Sequence, residues 1–222
     1  MIASQQDLLF PLLAVVALFA LVIAAGLRLS RRAQDQGLRE TDATAAWMEL
    51  GGRPAGKAGL LYGVWEVAMH EVVLLVRDEH DTIAARITRG ASGTLIEVGG
   101  TRFAIVAKSG WSERAELFAA ADGIATGSRC RFEARGWGGN RTARYVVPGT
   151  GTLTLSGQWA WSRQRGPLPI LQDGREVGCF GSLGSPALNR GRALVLPASI
   201  PLPVRLFLLW QGLGVQSRSL AR

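Results

Sequence analysis

A long apolar segment close to the N-terminus is the first constraint on this chain. Residues 8–27 form a run of twenty positions without a charged side chain, and thirteen of them are Leu, Ile, Val or Phe. A helix rises about 1.5 Å per residue, so this run reaches about 30 Å, the thickness of the hydrocarbon core of a bilayer. We therefore predict a transmembrane helix over residues 8–29, preceded by a short tail, residues 1–7.

A cleaved secretory signal is the alternative interpretation of this segment. Signal peptides begin with a positively charged region, and their apolar stretch is about 7–15 residues long. The tail carries Asp7 and no Lys or Arg, and Ala24-Ala25-Gly26 is only a weak cleavage site. These features favour an anchor that is retained.

Positively charged residues follow the span and set its predicted orientation. Loops that stay in the cytoplasm are enriched in Lys and Arg. Because the tail has no basic side chain, we predict that the N-terminus lies outside and the main domain in the cytoplasm, at the cell inner membrane. Each arginine beside the span adds about 1 kcal/mol of attraction to an anionic leaflet. The candidates for this lipid contact are Arg28, Arg31 and Arg32.

The rest of the chain divides into three parts by composition. Residues 30–59 mix charged residues with alanine and end in a stretch rich in Gly and Pro, which predicts a juxtamembrane helix followed by a linker. Residues 60–212 form the expected folded domain, which is long enough to bury a core of its own. Residues 213–222 form a basic tail.

Short runs of alternating apolar and polar residues fill the folded domain. This period of two is typical of strands, and turn signals with Gly or Asp separate the runs. Residues 115–121 also fit a helical turn, and that alternative stays open. We predict an all-β barrel or sandwich of about 10–12 short strands. The predicted strands are residues 60–69, 71–77, 82–88, 93–98, 102–107, 115–120, 129–134, 143–147, 152–155 and 158–162, and residues 168–178 are predicted to form a further hairpin around the turn at Asp173-Gly174.

An apolar segment near the C-terminus predicts a helix over residues 200–212. Pro201 and Pro203 suit its first turn. The helix is apolar on nearly all sides and, at about 15 Å, is too short to cross a bilayer. Two interpretations follow. The helix is buried inside the β domain, or it lies in the membrane interface with Arg205 at the headgroups and Trp210 at the boundary.

Residues 159–165 supply a candidate contact surface. Alternation along one strand places two tryptophans and two arginines on the same face. An aromatic ring beside a positive charge suits a headgroup layer or a protein interface. The alternative is that both tryptophans fill the barrel and the arginines lie beyond the strand end. The four residues are Trp159, Trp161, Arg163 and Arg165.

The net charge of the chain and its distribution limit the classes of partner that we expect. The net charge is +8, and no Asp or Glu lies between Glu133 and Asp173 or after Glu176. Such a surface favours anionic lipid headgroups, nucleic acid or an acidic protein. The sequence contains no recognisable nucleic-acid module, and the chain is predicted to be tethered to a bilayer. We therefore expect membrane lipid and integral membrane proteins as partners, and no nucleic acid.

No combination of residues in the sequence indicates catalysis, a metal or a cofactor. His70 and His80 are the only histidines, and residues 78–81, three of them acidic, are better explained as a solvated hairpin tip than as a cation site. Cys130 and Cys179 are too few for a secreted disulfide framework and fit no metal spacing, so we predict buried free thiols.

Three segments carry a resemblance to a known family. They read VRDEHDTIAARI from residue 76, LQDGREVGCFGSLG from residue 171 and LPASIPLPVRLFLLW from residue 196. Over residues 60–210 the chain resembles the tubby-like family, which includes phospholipid scramblases and plant LURP-one-related proteins. The resemblance implies a twelve-stranded barrel around a hydrophobic C-terminal helix, and action at membranes through phosphoinositides or other anionic lipids. The chain has no acidic calcium segment beside its terminal helix, so calcium-triggered scrambling is not implied.

These features together predict a single-pass membrane protein with a cytoplasmic β domain and no catalytic function. The leading hypothesis is an accessory or scaffold protein that docks on anionic lipid or on subunits of a larger membrane complex. The alternatives are a scramblase-like lipid-binding or lipid-transfer protein, and an enzyme with an unrecognised site.

Overall fold

A computed structural model describes residues 41–52, 57–67, 71–91, 93–108, 113–121, 124–135, 140–158, 167–184 and 190–212. The chain divides into two compact units, Met1–Glu40 and Thr41–Arg222, and the fold below belongs to the second. The predicted tail, the predicted transmembrane helix and the basic C-terminal tail lie outside the described residues. Within the described ranges, no helix is both long and apolar enough to span a bilayer.

Twelve strands lie between two helices in the described part of the chain. The first helix, α1, covers Ala43–Glu49, and the last, α2, covers Leu202–Gln211. The strands are β1 Leu60–Val67, β2 Val72–Asp78, β3 Ile83–Gly90, β4 Gly93–Val98, β5 Thr101–Lys108, β6 Glu113–Ala121, β7 Ile124–Arg135, β8 Asn140–Val147, β9 Gly151–Gln158, β10 Leu168–Gln172, β11 Arg175–Leu183 and β12 Gly191–Val195.

The strands close into one barrel in which each strand pairs antiparallel with its neighbours in the sequence. The closure is made by β1 and β12, where Leu61 lies opposite Leu194. Odd-numbered strands therefore run in one direction and even-numbered strands in the other. We call the end where β1 begins and β12 ends the near end, and the opposite end the far end.

Alternate side chains of each strand point into the barrel and form its core. On β8, Ala143, Tyr145 and Val147 are buried, whereas Arg144 and Val146 are exposed. This is the period of two expected of a strand with one face on the core. Closure also leaves the described strands without an unpaired edge.

The helix α2 fills the middle of the barrel. It follows β12 at the near end, starts after Pro201 and stops at Gly212. Phe207, at its centre, makes edge-on contacts with Phe132 and Tyr145 of the barrel wall. Its buried residues are Val204, Leu206, Phe207, Leu208, Leu209 and Trp210. The prediction of an all-β barrel with a buried C-terminal helix is thus confirmed.

The helix α1 packs on the outside of the barrel, against β1 and β11. Ala43, Ala46 and the capping Leu50 are buried there. Gly181 permits a close approach, since a Cβ at that position would lie 2.6 Å from Leu50 Cδ2. The barrel residues on this side are buried although they are not part of the barrel core. This outer apolar patch consists of Leu60, Tyr62, Val64, Cys179, Leu183, Ala193 and Val195.

Several predicted elements differ from the observed ones in detail. Residues 115–121 belong to strand β6, not to a helical turn. β12 was missing from the predicted strands, and most of the predicted strand 158–162 lies outside the described residues. The segment predicted to be a juxtamembrane helix and linker contains α1, which packs on the barrel.

Candidate functional site

Seven of the nine residues predicted to contact lipid or a partner lie outside the described part of the chain. They are Arg28, Arg31, Arg32, Trp159, Trp161, Arg163 and Arg165. The other two, Arg205 and Trp210, lie in different halves of α2.

Trp210 and Arg205 have different surroundings. Trp210 is 6% exposed and packs edge-on against Trp65 of β1, with 5.5 Å between the ring centroids. Arg205 is half-buried; burial lowers the pKa of its guanidinium, and the charge of Glu79 opposes that shift. Trp210 therefore belongs to the barrel core, and α2 does not bring the two residues together at one surface.

A buried arginine contacts the C-terminal end of α2. Arg192 on β12 is 8% exposed, and its Nη1 donates to the carbonyl oxygen of Trp210 at 2.7 Å and to that of Leu209 at 3.3 Å. The last turn of a helix leaves carbonyl groups without intrahelical partners and carries partial negative charge. Arg192 therefore caps α2 inside the barrel.

Aromatic rings flank the Arg192 guanidinium. Its Cζ lies 5.8 Å from the ring centroid of Trp65 and 5.4 Å from that of Phe180, within the range of cation–π attraction. Among the described residues, it makes no ion pair with an acid, and its Nε has no hydrogen-bond partner. Burial lowers the pKa of Arg192 to about 9. The positive charge of Arg192 is thus stabilised mainly by backbone carbonyl dipoles and by the faces of the two aromatic rings.

Tyr145 contacts a carbonyl group at the residue that ends α2. Its hydroxyl donates to the carbonyl oxygen of Gly212. Burial raises the pKa of Tyr145 well above its usual value, so the phenol stays neutral and remains a donor. Arg192 and Tyr145 together supply hydrogen-bond donors to carbonyl groups at the end of α2, from two sides of the barrel wall.

Further charged side chains lie on the inward faces of strands at the far end. By strand alternation, these are Arg89 of β3, Glu113 of β6 and Arg141 of β8. Arg141 Nη2 and Glu113 Oε2 form an ion pair at 2.7 Å, and the Arg141 side chain is 15% exposed. Arg141 Nε is buried and has no partner among the described residues. We call Trp65, Arg89, Glu113, Arg141 and Arg192 the far-end cluster, after the end of the barrel that they share; the observed contacts within it join Arg141 to Glu113 and Arg192 to Trp65.

The far-end cluster offers positive charge and N–H donors. It consists of three arginines, one glutamate and one tryptophan. No group of three or more His, Cys, Asp or Glu in the described ranges could hold a metal ion. Guanidinium groups carry N–H donors in a planar arrangement that matches the oxygens of carboxylates and phosphates.

A second polar cluster ties α1 to the barrel. Asp81, in the β2–β3 turn, accepts hydrogen bonds from the Tyr62 hydroxyl and from the backbone N–H of Ala43, the latter at 2.8 Å. The Tyr62 bond is the main reason that the pKa of Asp81 is lowered, while burial and this bond raise the pKa of Tyr62. At the other end of α1, Glu49 pairs with Arg190 at 3.2 Å.

Charges of opposite sign alternate on the outer face of the barrel. Glu116 of β6 pairs with Arg131 of β7 at 3.0 Å, and Arg114 of β6 pairs with Glu133 of β7 at 3.4 Å. Exposed pairs of this kind contribute about 0–1 kcal/mol each. These ion pairs reduce the positive potential of the outer face. The net charge of the whole chain therefore overstates how basic this face is.

Sequence reasoning missed the far-end cluster. Arg141 lies on the same face of β8 as Ala143 and Tyr145, because side chains alternate along a strand. Its inward position could therefore have been inferred from a longer predicted strand. Arg192 lies in β12, which was not predicted, and no local pattern in the sequence links it to α2.

Comparisons of the chain with protein-family models, with curated proteins and with solved structures give no match.

Proposed function

We propose that this chain is a tubby-like barrel protein that is anchored in the inner membrane and acts there as a non-catalytic accessory or scaffold protein. Its main domain lies in the cytoplasm and docks on subunits of a larger membrane complex or on anionic lipid headgroups. The predicted span, residues 8–29, supplies the tether, and Arg28, Arg31 and Arg32 contact the headgroups beside it.

The filled interior of the barrel is the observation that carries this proposal. Barrels that carry a ligand enclose a cavity for it. Here α2 occupies that space, and its side chains form one core with those of the strands. A lipid tail could enter only by displacing Phe207 and its neighbours. A functional site is thus expected on the outer surface or at the ends of the barrel. This favours docking over lipid transfer.

The topology supports the family assignment within this proposal. Twelve antiparallel strands close in sequence order, and the hydrophobic helix that follows the last strand lies in the middle of the barrel. This is the arrangement that the resemblance to tubby-like proteins implies.

Purification from native membranes tests the proposal. The full chain, tagged at its C-terminus, is extracted in a mild detergent and captured. We expect integral membrane subunits to copurify in stoichiometric amounts. A protein that purifies alone and moves lipid between vesicles, with this transfer lost on R163Q/R165Q substitution but kept in R102Q, would instead support the lipid-transfer function.

Two measurements test the anchor itself. We expect N-terminal sequencing of the mature protein to begin before Ala24. A cysteine introduced near Asp7 should react with an impermeant thiol reagent applied to intact cells. A mature N-terminus beyond Gly26 would contradict the anchor, and protection of the new cysteine would contradict the orientation.

A further inference from the structure

The helix α1 lies across the closure of the barrel. In the barrel, β12 lies between β1 and β11, and α1 contacts β1 on one side of it and β11 on the other. Ala193 and Val195 of β12 are buried in the outer apolar patch. We call the pairing of β1 with β12 the seam, and α1 thus lies over the seam on the outside of the barrel.

The seam is a short ladder. It runs from Leu60 to Val64 of β1, whereas the ladder between β6 and β7 runs from Glu113 to Ala121 of β6. It also contains two glycines, and a Cβ on Gly191 would lie 2.0 Å from the carbonyl oxygen of Gly63. Glycine adds no side-chain packing to a strand and loses more conformational freedom on folding than other residues. The seam therefore relies on packing against its two faces more than the β6–β7 ladder does.

At the N-terminal end of α1, Asp81 joins the helix to β1. Its carboxylate accepts a hydrogen bond from the backbone N–H of Ala43 at 2.8 Å and another from the Tyr62 hydroxyl. Tyr62 lies opposite Ala193 in the seam. The first turn of α1 is therefore fixed to the β1 side of the seam.

At the C-terminal end of α1, Glu49 joins the helix to the connection between β11 and β12. Its carboxylate accepts a hydrogen bond from the backbone N–H of Gly184, which follows β11, and pairs at 3.2 Å with Arg190, which precedes β12. The buried side chain of Leu50 packs against Gly181 of β11. The helix is thus attached to the barrel on both sides of β12.

We propose that α1 is a strap that holds the seam closed, and that its release opens the barrel between β1 and β12 before any other pair of strands separates. A helix of seven residues is not stable alone, so α1 is either docked or unfolded. Its release exposes the outer apolar patch to water and removes the attachments that join the two sides of β12. The pairing of β6 with β7, on the opposite side of the barrel, does not depend on α1.

This device goes beyond the proposed function and does not depend on the predicted anchor. A partner that captures the residues of α1 would open the barrel at the seam alone. Coupling of this kind needs two states of one element and a contact that differs between them, which the docked and released forms of α1 supply.

Hydrogen exchange of the full chain in dodecyl maltoside, followed by mass spectrometry, tests the strap. A46D places a charge at a fully buried position of α1 and should release the helix, whereas M48D places the same charge where the native side chain is 62% exposed. We expect the amides of residues 60–64 and 191–195 to exchange at least about tenfold faster in A46D than in M48D, because the burial of about one large apolar side chain is lost. The amides of β6 and β7 should exchange alike in both variants.

A second variant, L50A, keeps the test decisive if A46D folds poorly, because it removes the contact with Gly181 without adding a charge. It should accelerate exchange of the same amides at least about threefold. Equal exchange at the seam in A46D, L50A and M48D would overturn the proposal. Acceleration of β6 and β7 to the same extent as the seam would also overturn it, because the barrel would then open as a whole.

Discussion

At the scale of single residues, the end of α2 depends on two side chains from the barrel wall. Arg192 donates to the carbonyl groups of Leu209 and Trp210, and Tyr145 donates to that of Gly212. Backbone carbonyl groups at a buried helix end are normally paired, because they cannot turn to water. The arginine thus serves two purposes, since it supplies donors and its charge complements the dipole of α2.

Replacing Arg192 by Gln should cost about 3 kcal/mol in the free energy of unfolding, because hydrogen bonds from a charged donor contribute about 1.5–3 kcal/mol each. Urea denaturation measures this loss. R102Q is the matched control, since Arg102 is 67% exposed and pairs with Glu97 on the outer face. A variant R192Q that is as stable as R102Q would contradict a capping role for Arg192.

Gly212 is required both by its backbone and by its surroundings. Its φ is 49°, and an added Cβ would lie 2.7 Å from Phe180 Cζ. Gly149 has a φ of 77° but no atom within 4 Å of an added Cβ. We therefore expect G149A to lose about 1 kcal/mol and G212A to lose about 2–4 kcal/mol, because only the second change also overpacks the core. Equal losses in urea denaturation would exclude the packing effect.

At the scale of elements, the sequence predicts the strands and the helix that carry a regular pattern of apolar residues. It does not predict features that depend on contacts between distant parts of the chain. The alternating runs predict most strands of the barrel, because one face of each strand is buried. An apolar residue at every position from Leu206 to Trp210 predicts that this part of α2 is buried on all sides. β12 is short, and Gly191 through Val195 are all buried, so this strand has no alternation to detect. The far-end cluster arises only when β3, β6, β8 and β12 close into a barrel.

The attachment of α1 should weaken in acid. The Tyr62 hydrogen bond lowers the pKa of Asp81 in the folded state. A carboxyl group with a lowered folded pKa stabilises the fold above its unfolded pKa of about 3.9, and this contribution is lost as the pH falls through the folded value. We expect the unmodified chain to have a higher Tm than D81N at pH 6–7.

This difference in Tm should shrink below about pH 4, as Asp81 takes up a proton. Asparagine tolerates the positive φ of 61° at this position, so the comparison isolates the charge. The titration of other carboxyl groups affects both proteins equally and cancels. A difference that stays constant down to pH 2 would show that the charge of Asp81 does not hold α1.

At the scale of the whole molecule, two apolar layers share one barrel wall. The inner layer surrounds α2, and the outer apolar patch lies beneath α1. A helix of seven residues is not stable alone, so α1 depends on its contacts with the barrel. The two free cysteines lie in different layers. Cys130 is in the core, and Cys179 is in the outer apolar patch. Their reactivity therefore reports on the two layers separately.

Cys179 should react with a thiol reagent faster than Cys130 in the folded protein. We expect local opening of α1 to expose Cys179, whereas exposure of Cys130 requires opening of the barrel, and burial raises the pKa of the Cys130 thiol to about 12. Labelling rates of the variants C130A and C179A, each with one cysteine, measure this. The further substitution D81N should accelerate only the labelling of Cys179. Equal rates for both cysteines would contradict two layers of different stability.

The pairing of β1 with β12 has a consequence for biosynthesis. Hairpins from β1 to β11 can form while the chain is still growing, because each strand pairs with the one made just before it. Closure joins residues that are more than a hundred positions apart, and it waits until β12 has been synthesised. Until then the nascent sheet exposes two unpaired edges and an unfilled hydrophobic concave face, so a ribosome that stalls shortly before residue 191 releases a species that needs a chaperone or a protease.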